Sequence, residues 1–377
     1  TFTAQGHGRV KNNGTISATG TAQLNVIMWS DYDNDNNDGG VSQLGTINTN
    51  GGHVWLGGSS TNGGAYTWNG LSVGNGPSIG SNGFNHNALD LFGAVSTNGG
   101  DFFAWAGDGY SSGIGGIGTN GGHSINTVDG NIILITDKVD GSGGSSLQFE
   151  TTGIFSLSPN GGSFNGGFNF NPVISGDDFE FPGGDFNYLR IENSANLSGL
   201  TIGEYSGTGL EGDSVFNITN SSDVTLSTPA SINGNISIYG DNLNINKSLI
   251  SSTSTGTISL QAASAISQTA SISANILSLT GSGTTNLSHS GNSVNKLSAG
   301  TATITTGTLS FTNSKALEIG VNSNGIKSNG TISVGTLSGN LTITENISTT
   351  NTNDNAIRLL ADADTTAPNE GNGHIII

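Results

Sequence analysis

The sequence is informative first through what it lacks. It has no cysteine, which excludes disulfides and thiolate metal sites, and its six prolines leave strands rarely interrupted. No window of about a dozen residues combines helical apolar spacing with good helix formers. No apolar run reaches the roughly 18 residues that a membrane-spanning helix needs. We therefore expect neither a helical protein nor membrane insertion of this segment.

Charge is scarce and strongly biased. Charged residues make up 10% of the chain, against about 25% of an average soluble domain. Nine Lys and Arg stand against 27 Asp and Glu, which gives a formal net charge of −18. Phosphate backbones and anionic membranes bind through clustered Lys and Arg, so this balance argues against nucleic acid and against an anionic membrane surface as partners. It is consistent with solubility outside the cell and with a need for divalent cations.

Glycine and short alternating apolar runs are abundant instead. The chain has 61 glycines and many Asn, Ser and Thr residues. Apolar residues alternate with polar ones in runs such as Ile236-Ser237-Ile238 and Leu341-Thr342-Ile343. Alternation predicts strands, and the Gly and Asn clusters between the runs predict turns. The sequence therefore predicts ordered β structure.

A nine-residue repeat, Gly-x-[Ile/Val]-x-Thr-Asn-Gly-Gly-x, occurs at residues 45–53, 93–101 and 115–123. A fourth Thr-Asn-Gly-Gly lies at residues 61–64. Asn-Gly supplies the positive φ values of a tight turn, so each copy predicts strand, turn, strand. Self-similarity at periods of about 20–50 residues is typical of solenoids and propellers, and Thr97 and Thr119 are about one coil apart. Ordinary hairpins in a sandwich or barrel are the alternative.

The second half repeats more loosely, through apolar pairs such as Ile236/Ile238, Ile258/Leu260 and Leu277/Leu279. Their steps are near 20 residues, and each pair points two side chains inward from one strand. We therefore predict an all-β fold, a parallel β-helix (β-solenoid) with coils of about 20 residues. Residues 1–175 form a Gly-, Asn- and aromatic-rich region with the Thr-Asn-Gly-Gly repeats. Residues 176–377 form a Ser-, Thr- and Ile-rich region that continues it.

Residues 25–31, 49–58 and 67–74 are similar to the repeat modules of giant bacterial surface adhesins. Residues 200–203, 236–240 and 243–246 resemble the filamentous-haemagglutinin-like β-helix type of such adhesins. The resemblance implies a right-handed parallel β-helix that is extracellular or on the bacterial cell surface. It further implies a structural segment without enzymatic activity, a rigid rod for attachment, biofilm or cell contact. Its partners would be a host or neighbouring-cell surface, or glycans.

The acidic run at residues 31–38 is the most concentrated chemical feature of the sequence. Carboxylates at near-alternate positions of a short turn can converge on one hard cation. We predict a calcium site with Asp31, Asp33, Asp35 and Asp38 as ligands. The run departs from an EF-hand loop, since Asn36 stands where that loop needs glycine. A solvated polar loop is the alternative.

Two other functions remain open at this stage. A polysaccharide-active β-helix enzyme needs a cluster of carboxylates, which could come from Asp177, Asp178, Glu180 and Asp185 near Arg190. An ice-binding solenoid needs regular Thr-x-Thr ranks, of which residues 303–305 and 342–344 are fragments.

Histidines and aromatic residues allow further predictions. His53 and His123 occupy the same repeat position, which favours a structural role at a turn over a metal site. Sugar rings could stack on exposed aromatic side chains, although Trp55 and Trp105 lie in apolar runs typical of a core. The candidates are Trp55, Tyr66, Trp68, Trp105 and Tyr110. Isoleucines 375–377 fit a cut solenoid and predict end-to-end self-association.

Overall fold

The structure is a computed structural model. It describes residues 1–34, 39–80, 87–107, 117–120, 124–142, 147–164, 167–175, 178–181, 184–186, 189–203, 205–206, 217–218, 220–363 and 373–377. Over these residues the chain is nearly all β, without an α-helix, and its strands pair mostly in parallel. The prediction of an all-β, parallel fold is confirmed. Three short 3-10 turns lie at Asn160–Gly162, Gly184–Phe186 and Ser194–Asn196.

Contacts divide the chain into two compact units. The first unit comprises Thr1–Asn165 and Pro172–Asn220, and the second comprises Gly166–Asn171 and Ser221–Ile377.

The first unit contains three parallel ladders, which the chain visits repeatedly in the same order. Ladder A comprises Phe2–Gln5, Val26–Trp29, Val54–Gly57, Phe102–Trp105, Ile132–Ile135, Ile154–Ser158 and Gly199–Ile202. Ladder B comprises Arg9–Asn12, Gly40–Gln43, Leu89–Leu91, Ile117–Asn120 and Val139–Ser142. Ladder C comprises Thr15–Ser17, Thr46–Asn48, Val95–Ser96, Ser124–Val128, Leu147–Thr151 and Leu189–Glu192.

The first unit also contains antiparallel strand pairs. Asp178–Glu180 pairs with ladder C at Leu189–Glu192 and with Val173–Ser175. Ala65–Trp68 and Leu71–Gly74 form a hairpin, and Tyr205–Ser206 pairs with Asn217–Ile218.

The hairpin of residues 65–74 covers one face of ladder A. Strands Val26–Trp29, Val54–Gly57 and Phe102–Trp105 are buried along their whole length, which requires cover on both faces. Trp68 and Val73 of the hairpin pack into one apolar cluster with this face. The other buried members of the cluster are Ile27, Trp29, Trp55, Phe103, Trp105, Ile133 and Ile135. The fourth Thr-Asn-Gly-Gly, at residues 61–64, leads into this hairpin and not into a ladder strand.

The turn chemistry of the nine-residue repeat is explained by its first two copies. Thr49 Oγ1 donates a hydrogen bond to the carbonyl of Gly52, and Thr97 makes the same bond three residues onward. Asn50 and Asn98 adopt left-handed backbone with φ of 50° and 54°. Asn tolerates this region better than most residues, so Thr-Asn-Gly-Gly is a hydrogen-bonded corner.

Glycines stack on one another at these corners because the backbones of successive strands approach closely. A Cβ atom on Gly45 would overlap the carbonyl oxygen of Gly14, and one on Gly93 would overlap that of Gly45. In the same way, a Cβ on Gly100 would overlap the carbonyl oxygen of Gly52. The first and last glycines of the repeat are therefore required by space.

The third copy of the repeat is out of phase with the first two. Ile117 pairs with Leu89 in ladder B, whereas Val95 of the second copy pairs with Ile125 in ladder C. Thr127 makes the corner hydrogen bond to the carbonyl three residues later, at 2.6 Å. The prediction that Thr97 and Thr119 mark one coil is wrong, because Thr127 is the equivalent of Thr97.

A chain of side-chain acceptors links successive strands beside these corners. Asn25 Oδ1 accepts the backbone N–H of His53, and His53 Nδ1 accepts that of Asp101, at 2.8 and 2.9 Å. Asp101 Oδ1 then accepts from Asn131, and Asn131 Oδ1 from Ile154. The structural role predicted for His53 is confirmed, while His123 lies outside the described residues. The four sequence separations are 28, 48, 30 and 23 residues, so circuit length varies widely in this unit.

The second unit is also built from parallel ladders. Ladder D comprises Phe168–Phe170, Val224–Leu226, residues 243–245, residues 265–268, Thr284–Leu287, Leu309–Asn313, Ile332–Thr336 and Ile357–Leu360. Ladder E comprises Ala230–Ile232, Leu249–Ser251, residues 272–274 and residues 293–294. Ladder F comprises residues 236–240, 257–261, 276–280 and 296–299, followed by Leu317–Ile319, Leu341–Ile343 and Ile375–Ile376. Ile326–Ser328 pairs with Ile347–Thr349 beside ladder F.

The predicted apolar pairs stack in register along ladder F. Ile236 pairs with Ile258, which pairs with Leu277, and Ile238, Leu260 and Leu279 form the neighbouring row. All six side chains are buried. The predicted step of about 20 residues therefore describes the second unit well.

Asparagines form the corner acceptors of the second unit. Asn292 and Asn313 are fully buried, and their Oδ1 atoms accept the backbone N–H groups of Ile272 and Val294 at 2.9 Å. Asn313 Nδ2 also donates to the carbonyl of Val294 at 2.9 Å. One buried amide thus provides hydrogen-bond partners for backbone groups of an adjacent strand, which would otherwise be buried without partners.

Candidate functional site

The acidic turn begins directly after strand Val26–Trp29 of ladder A. Asp31 is fully buried and has left-handed backbone with φ of 47°. Asp33 Oδ2 lies 2.8 Å from the exposed His7 ring at Nδ1. A Cβ atom on Gly39 would lie 2.6 Å from that of Asp31, so the segment returns close to its starting point.

Calcium binding at this turn stays a prediction. Asp35 and Asp38, two of the four predicted ligands, lie outside the described residues. Within the described part of the chain, no three His, Cys, Asp or Glu residues are arranged to hold a metal ion.

A second group of charged side chains surrounds Arg190 on ladder C. Arg190 Nη2 donates to Asp178 Oδ2 at 2.6 Å, and its Nε lies 3.9 Å from Glu192 Oε1. Glu180 is the antiparallel cross-strand partner of Arg190. Asp185 is exposed in a 3-10 turn, and Asp177 lies outside the described residues. The structure thus brings two of the four predicted carboxylates to Arg190.

Sequence reasoning missed two further members of this Arg190 cluster, Glu150 and Glu192. They are directly opposite each other on neighbouring strands of ladder C. Asn126 Nδ2 donates to Glu150 Oε2 at 2.6 Å, and Asn193 Nδ2 donates to its Oε1 at 3.2 Å. Because ladder C passes from Thr151 to Leu189, no local pattern in the sequence could have paired the two glutamates.

Two carboxylates of the cluster have pKa values shifted in opposite directions. Burial raises the pKa of Asp178, but hydrogen bonds from Arg190 and Asn193 and the charge of Arg190 outweigh it, so the pKa is lowered. Burial raises the pKa of Glu192, and the nearby Glu150 and Asp178 add to this against the opposing charge of Arg190. Two carboxylates with pKa values shifted in opposite directions are typical of sites where one group acts as a general acid and the other as a base or nucleophile.

The three tryptophans among the candidate sugar platforms are buried. Trp55 is fully buried and Trp105 is 8% exposed, so the core position that their apolar runs favoured is confirmed. Trp68 is also fully buried, so a stacking role for it is wrong. Tyr66 is half-buried against the same cluster, and Tyr110 lies outside the described residues. The fragment at residues 303–305 lies outside the strands, so it contributes no rank of threonines to a sheet face.

No protein-family model matches this chain, and no curated protein or solved structure gives a significant match. No helix in the described residues is long and apolar enough to cross a membrane.

Proposed function

We propose that this chain is a structural segment of a secreted or cell-surface bacterial adhesin, and that each unit is a right-handed parallel β-helix. The ladders are the faces of the helix, and one circuit through them is one coil. The observation that carries the proposal is the repeated order A, B, C, in which each strand pairs with the corresponding strand of the next circuit. Parallel crossovers are right-handed in nearly all proteins, which supports the handedness.

The chemistry of the chain supports an extracellular, passive role. Each circuit is bonded mainly to its neighbours, so stability accumulates locally and the frame can extend over many repeats. The corner bonds join Asn, His, Asp and Thr side chains to backbone groups, and none of them involves cysteine. The net charge of −18 suits a soluble external segment, and the resemblance to filamentous-haemagglutinin-like adhesins points the same way. The partners would be a host or neighbouring-cell surface, or its glycans.

Attachment is tested with beads that carry the folded chain. We expect these beads to be retained on bacterial or epithelial cell layers under flow, while beads with the heat-unfolded chain or albumin wash away. Retention equal to that of albumin beads would remove the adhesin function and leave a spacer.

End-to-end self-association belongs to the same proposal. Ile357, Ile375 and Ile376 are 43%, 44% and 44% exposed and lie on ladder strands. Exposed apolar edge strands are templates for further pairing. Sedimentation should show concentration-dependent association that Ile375→Lys weakens, whereas Ile304→Lys, in an exposed loop, should leave it unchanged.

A polysaccharide-active enzyme is the second candidate, favoured by the divergent pKa values of Asp178 and Glu192 in the Arg190 cluster. Its test is the release of reducing ends from acidic and neutral polysaccharides. Activity that Glu192→Gln abolishes and Asp354→Asn, at an exposed carboxylate outside the Arg190 cluster, preserves would establish it. A chain without activity on any of them would leave the adhesin.

A further inference from the structure

A polar cleft lies on the outer side of ladder F. It has a volume of about 250 Å³, and its main lining residues are Asn275, Ile276, Lys296, Glu318, Asn322 and Glu345. Ile276, Lys296 and Glu318 are successive cross-strand partners, so they form one row on neighbouring strands. We name this feature the Glu318 cleft.

One wall of the Glu318 cleft is a tight two-residue hairpin turn. The turn follows strand Leu317–Ile319 and is closed by two backbone hydrogen bonds between Val321 and Asn324, of 2.9 and 2.8 Å. Within it, Asn322 and Ser323 have φ of 48° and 67°. Positive φ at both central residues is the ordinary geometry of a two-residue hairpin turn, and it fixes the position of this wall.

Gly320 allows this turn to sit against the opposite wall of the cleft. Its φ is 148°, and a Cβ atom there would overlap Thr344 Oγ1 and lie 3.0 Å from Glu345 Cγ. A larger residue would push these side chains away. The absence of a side chain at Gly320 therefore allows the turn to lie in contact with Thr344 and Glu345.

The polar groups of the cleft are held in place by one another. Glu318 Oε1 accepts hydrogen bonds from Lys296 Nζ at 3.0 Å and from Thr344 Oγ1 at 3.1 Å. Asn295 Nδ2 donates to Asn275 Oδ1 at 3.0 Å. The Lys296 and Glu318 side chains remain 41% and 32% exposed, so they are oriented yet accessible to a ligand.

The composition of the cleft selects a class of ligand. Fixed donors and acceptors surround the half-buried Ile276, which presents an apolar patch among polar groups. Sugar hydroxyls both donate and accept hydrogen bonds, while a pyranose ring offers an apolar face. Two carboxylates against one ammonium disfavour phosphate, sulfate and acidic sugars. The volume is below the roughly 300–1,000 Å³ of drug-sized pockets, which favours a single ring.

We propose that the Glu318 cleft binds one neutral hexose at the end of a surface glycan. This deepens the adhesin proposal and rests on it for the biological source of the sugar. The affinity is expected to be millimolar, because the ligand is small and the site is open.

The test uses the full chain and methyl glycosides of glucose, galactose, mannose and N-acetylglucosamine, followed by saturation-transfer NMR. We expect at least one glycoside to bind, and Glu318→Gln to weaken it about tenfold. Asn322→Gly, which removes the amide and keeps the left-handed backbone of this exposed turn, should weaken it as well without affecting folding. Asn346→Ala is the matched control, since Asn346 lines a neighbouring cleft.

Two outcomes overturn the proposal: no glycoside binds, or binding survives both Glu318→Gln and Asn322→Gly. The bead assay separates this failure from that of the adhesin function. Retained beads without glycoside binding would leave an adhesin that uses another surface. Glycoside binding at the cleft without retained beads would leave a sugar site in a chain that is not an adhesin.

Discussion

The two units solve the same stacking problem with different regularity. In the first unit, corner bonds link residues 28, 48, 30 and 23 positions apart. In the second, the corresponding bonds from Asn235, Asn292 and Asn313 span 22, 20 and 19 positions. Parallel ladders therefore do not require equal circuits, provided that each circuit returns to the same corner.

The corner acceptors differ between the units in residue type but not in chemistry. The first unit uses Asn25, His53, Asp101 and Asn131, whereas the second uses asparagine at all the corners compared above. Each offers a lone pair to the backbone N–H of a neighbouring strand. The comparison teaches that the acceptor is the requirement, and the side chain that carries it is free to vary.

The largest effect is expected at the glycine column of the first unit. Gly93→Ala places a methyl group on the carbonyl oxygen of Gly45 and should destabilise this unit by about 3 kcal/mol or more in urea unfolding. Gly14→Ala is the matched control, because nothing lies within 4 Å of its Cβ position. Equal stability of both variants would mean that the corners are not close-packed.

Calcium should distinguish the two units. If Asp31, Asp33, Asp35 and Asp38 bind it, an excess of 100 times the Kd adds about 2.7 kcal/mol to the stability of the first unit alone. Circular dichroism melts after exhaustive chelation, with and without added calcium, provide the measurement. Unchanged melting would reduce the acidic run to a solvated turn, and a shift in the second unit would indicate a different site.

Removing a buried corner amide should weaken the second unit. Asn313→Ala leaves backbone groups of Val294 without partners and is expected to cost about 2 kcal/mol in urea unfolding. Asn295→Ala removes an amide that is exposed and bonded only to another side chain, so it should cost less than about 0.5 kcal/mol. The idea of an essential acceptor fails if the two costs are alike.

Val128 departs from the Thr-Asn pattern of the first unit's corners and offers a stabilising change. Val128 follows Thr127 as Asn50 follows Thr49, and it has left-handed backbone with φ of 63°. This conformation costs a β-branched residue about 1–2 kcal/mol, so Val128→Asn should raise the stability by about 1 kcal/mol. The reverse change, Asn98→Val, should lower it by a similar amount in the same thermal assay.

The smallest effects concern pH and the Arg190 cluster. The raised pKa of Glu192 means that its ionised form destabilises the fold at neutral pH, and this cost is relieved as the pH falls through its folded pKa. Glu192→Gln should therefore stabilise the first unit at pH 7 by a few tenths of a kcal/mol, with the gain gone below about pH 4.

Asp178→Asn should act in the opposite direction in the same melts. Because the pKa of Asp178 is lowered in the folded state, its ionised form stabilises the fold at pH values above the ordinary pKa of an aspartate. This contribution is lost as the pH falls through the folded pKa. The variant should be destabilised at pH 7 and match the parent in strong acid. Shifts of the same sign in both variants would contradict the assigned environments.

The second unit could be predicted from the sequence better than the first. The rows that begin with Ile236 and Ile238 were predictable because strand alternation and a step near 20 residues coincide there. In the first unit, the hairpin of residues 65–74 alternates like a ladder strand and conceals the step of 48. The copy at residues 115–123 gave a wrong estimate of the coil length, because a Thr-Asn-Gly sequence favours a tight turn at any position in the fold.

The candidate sites were predictable only where their members are neighbours in sequence. Asp178, Glu180 and Arg190 are close enough along the chain for a hairpin to be inferred. Glu150 joins them because ladder C resumes at Leu189, and that depends on pairing across a long excursion of the chain. The Glu318 cleft likewise joins residues from separate circuits, and only the register of ladder F brings them together.

The excursion between strands Val54–Gly57 and Leu89–Leu91 also has a consequence for engineering. Leu89 resumes pairing with Val41 in ladder B, so the ladders continue on either side of the intervening hairpin. The excursion therefore lies between two strands whose pairing does not depend on its length. Foreign loops inserted in this excursion should be displayed without shifting the register, provided that the hairpin of residues 65–74, whose Trp68 and Val73 cover ladder A, is kept.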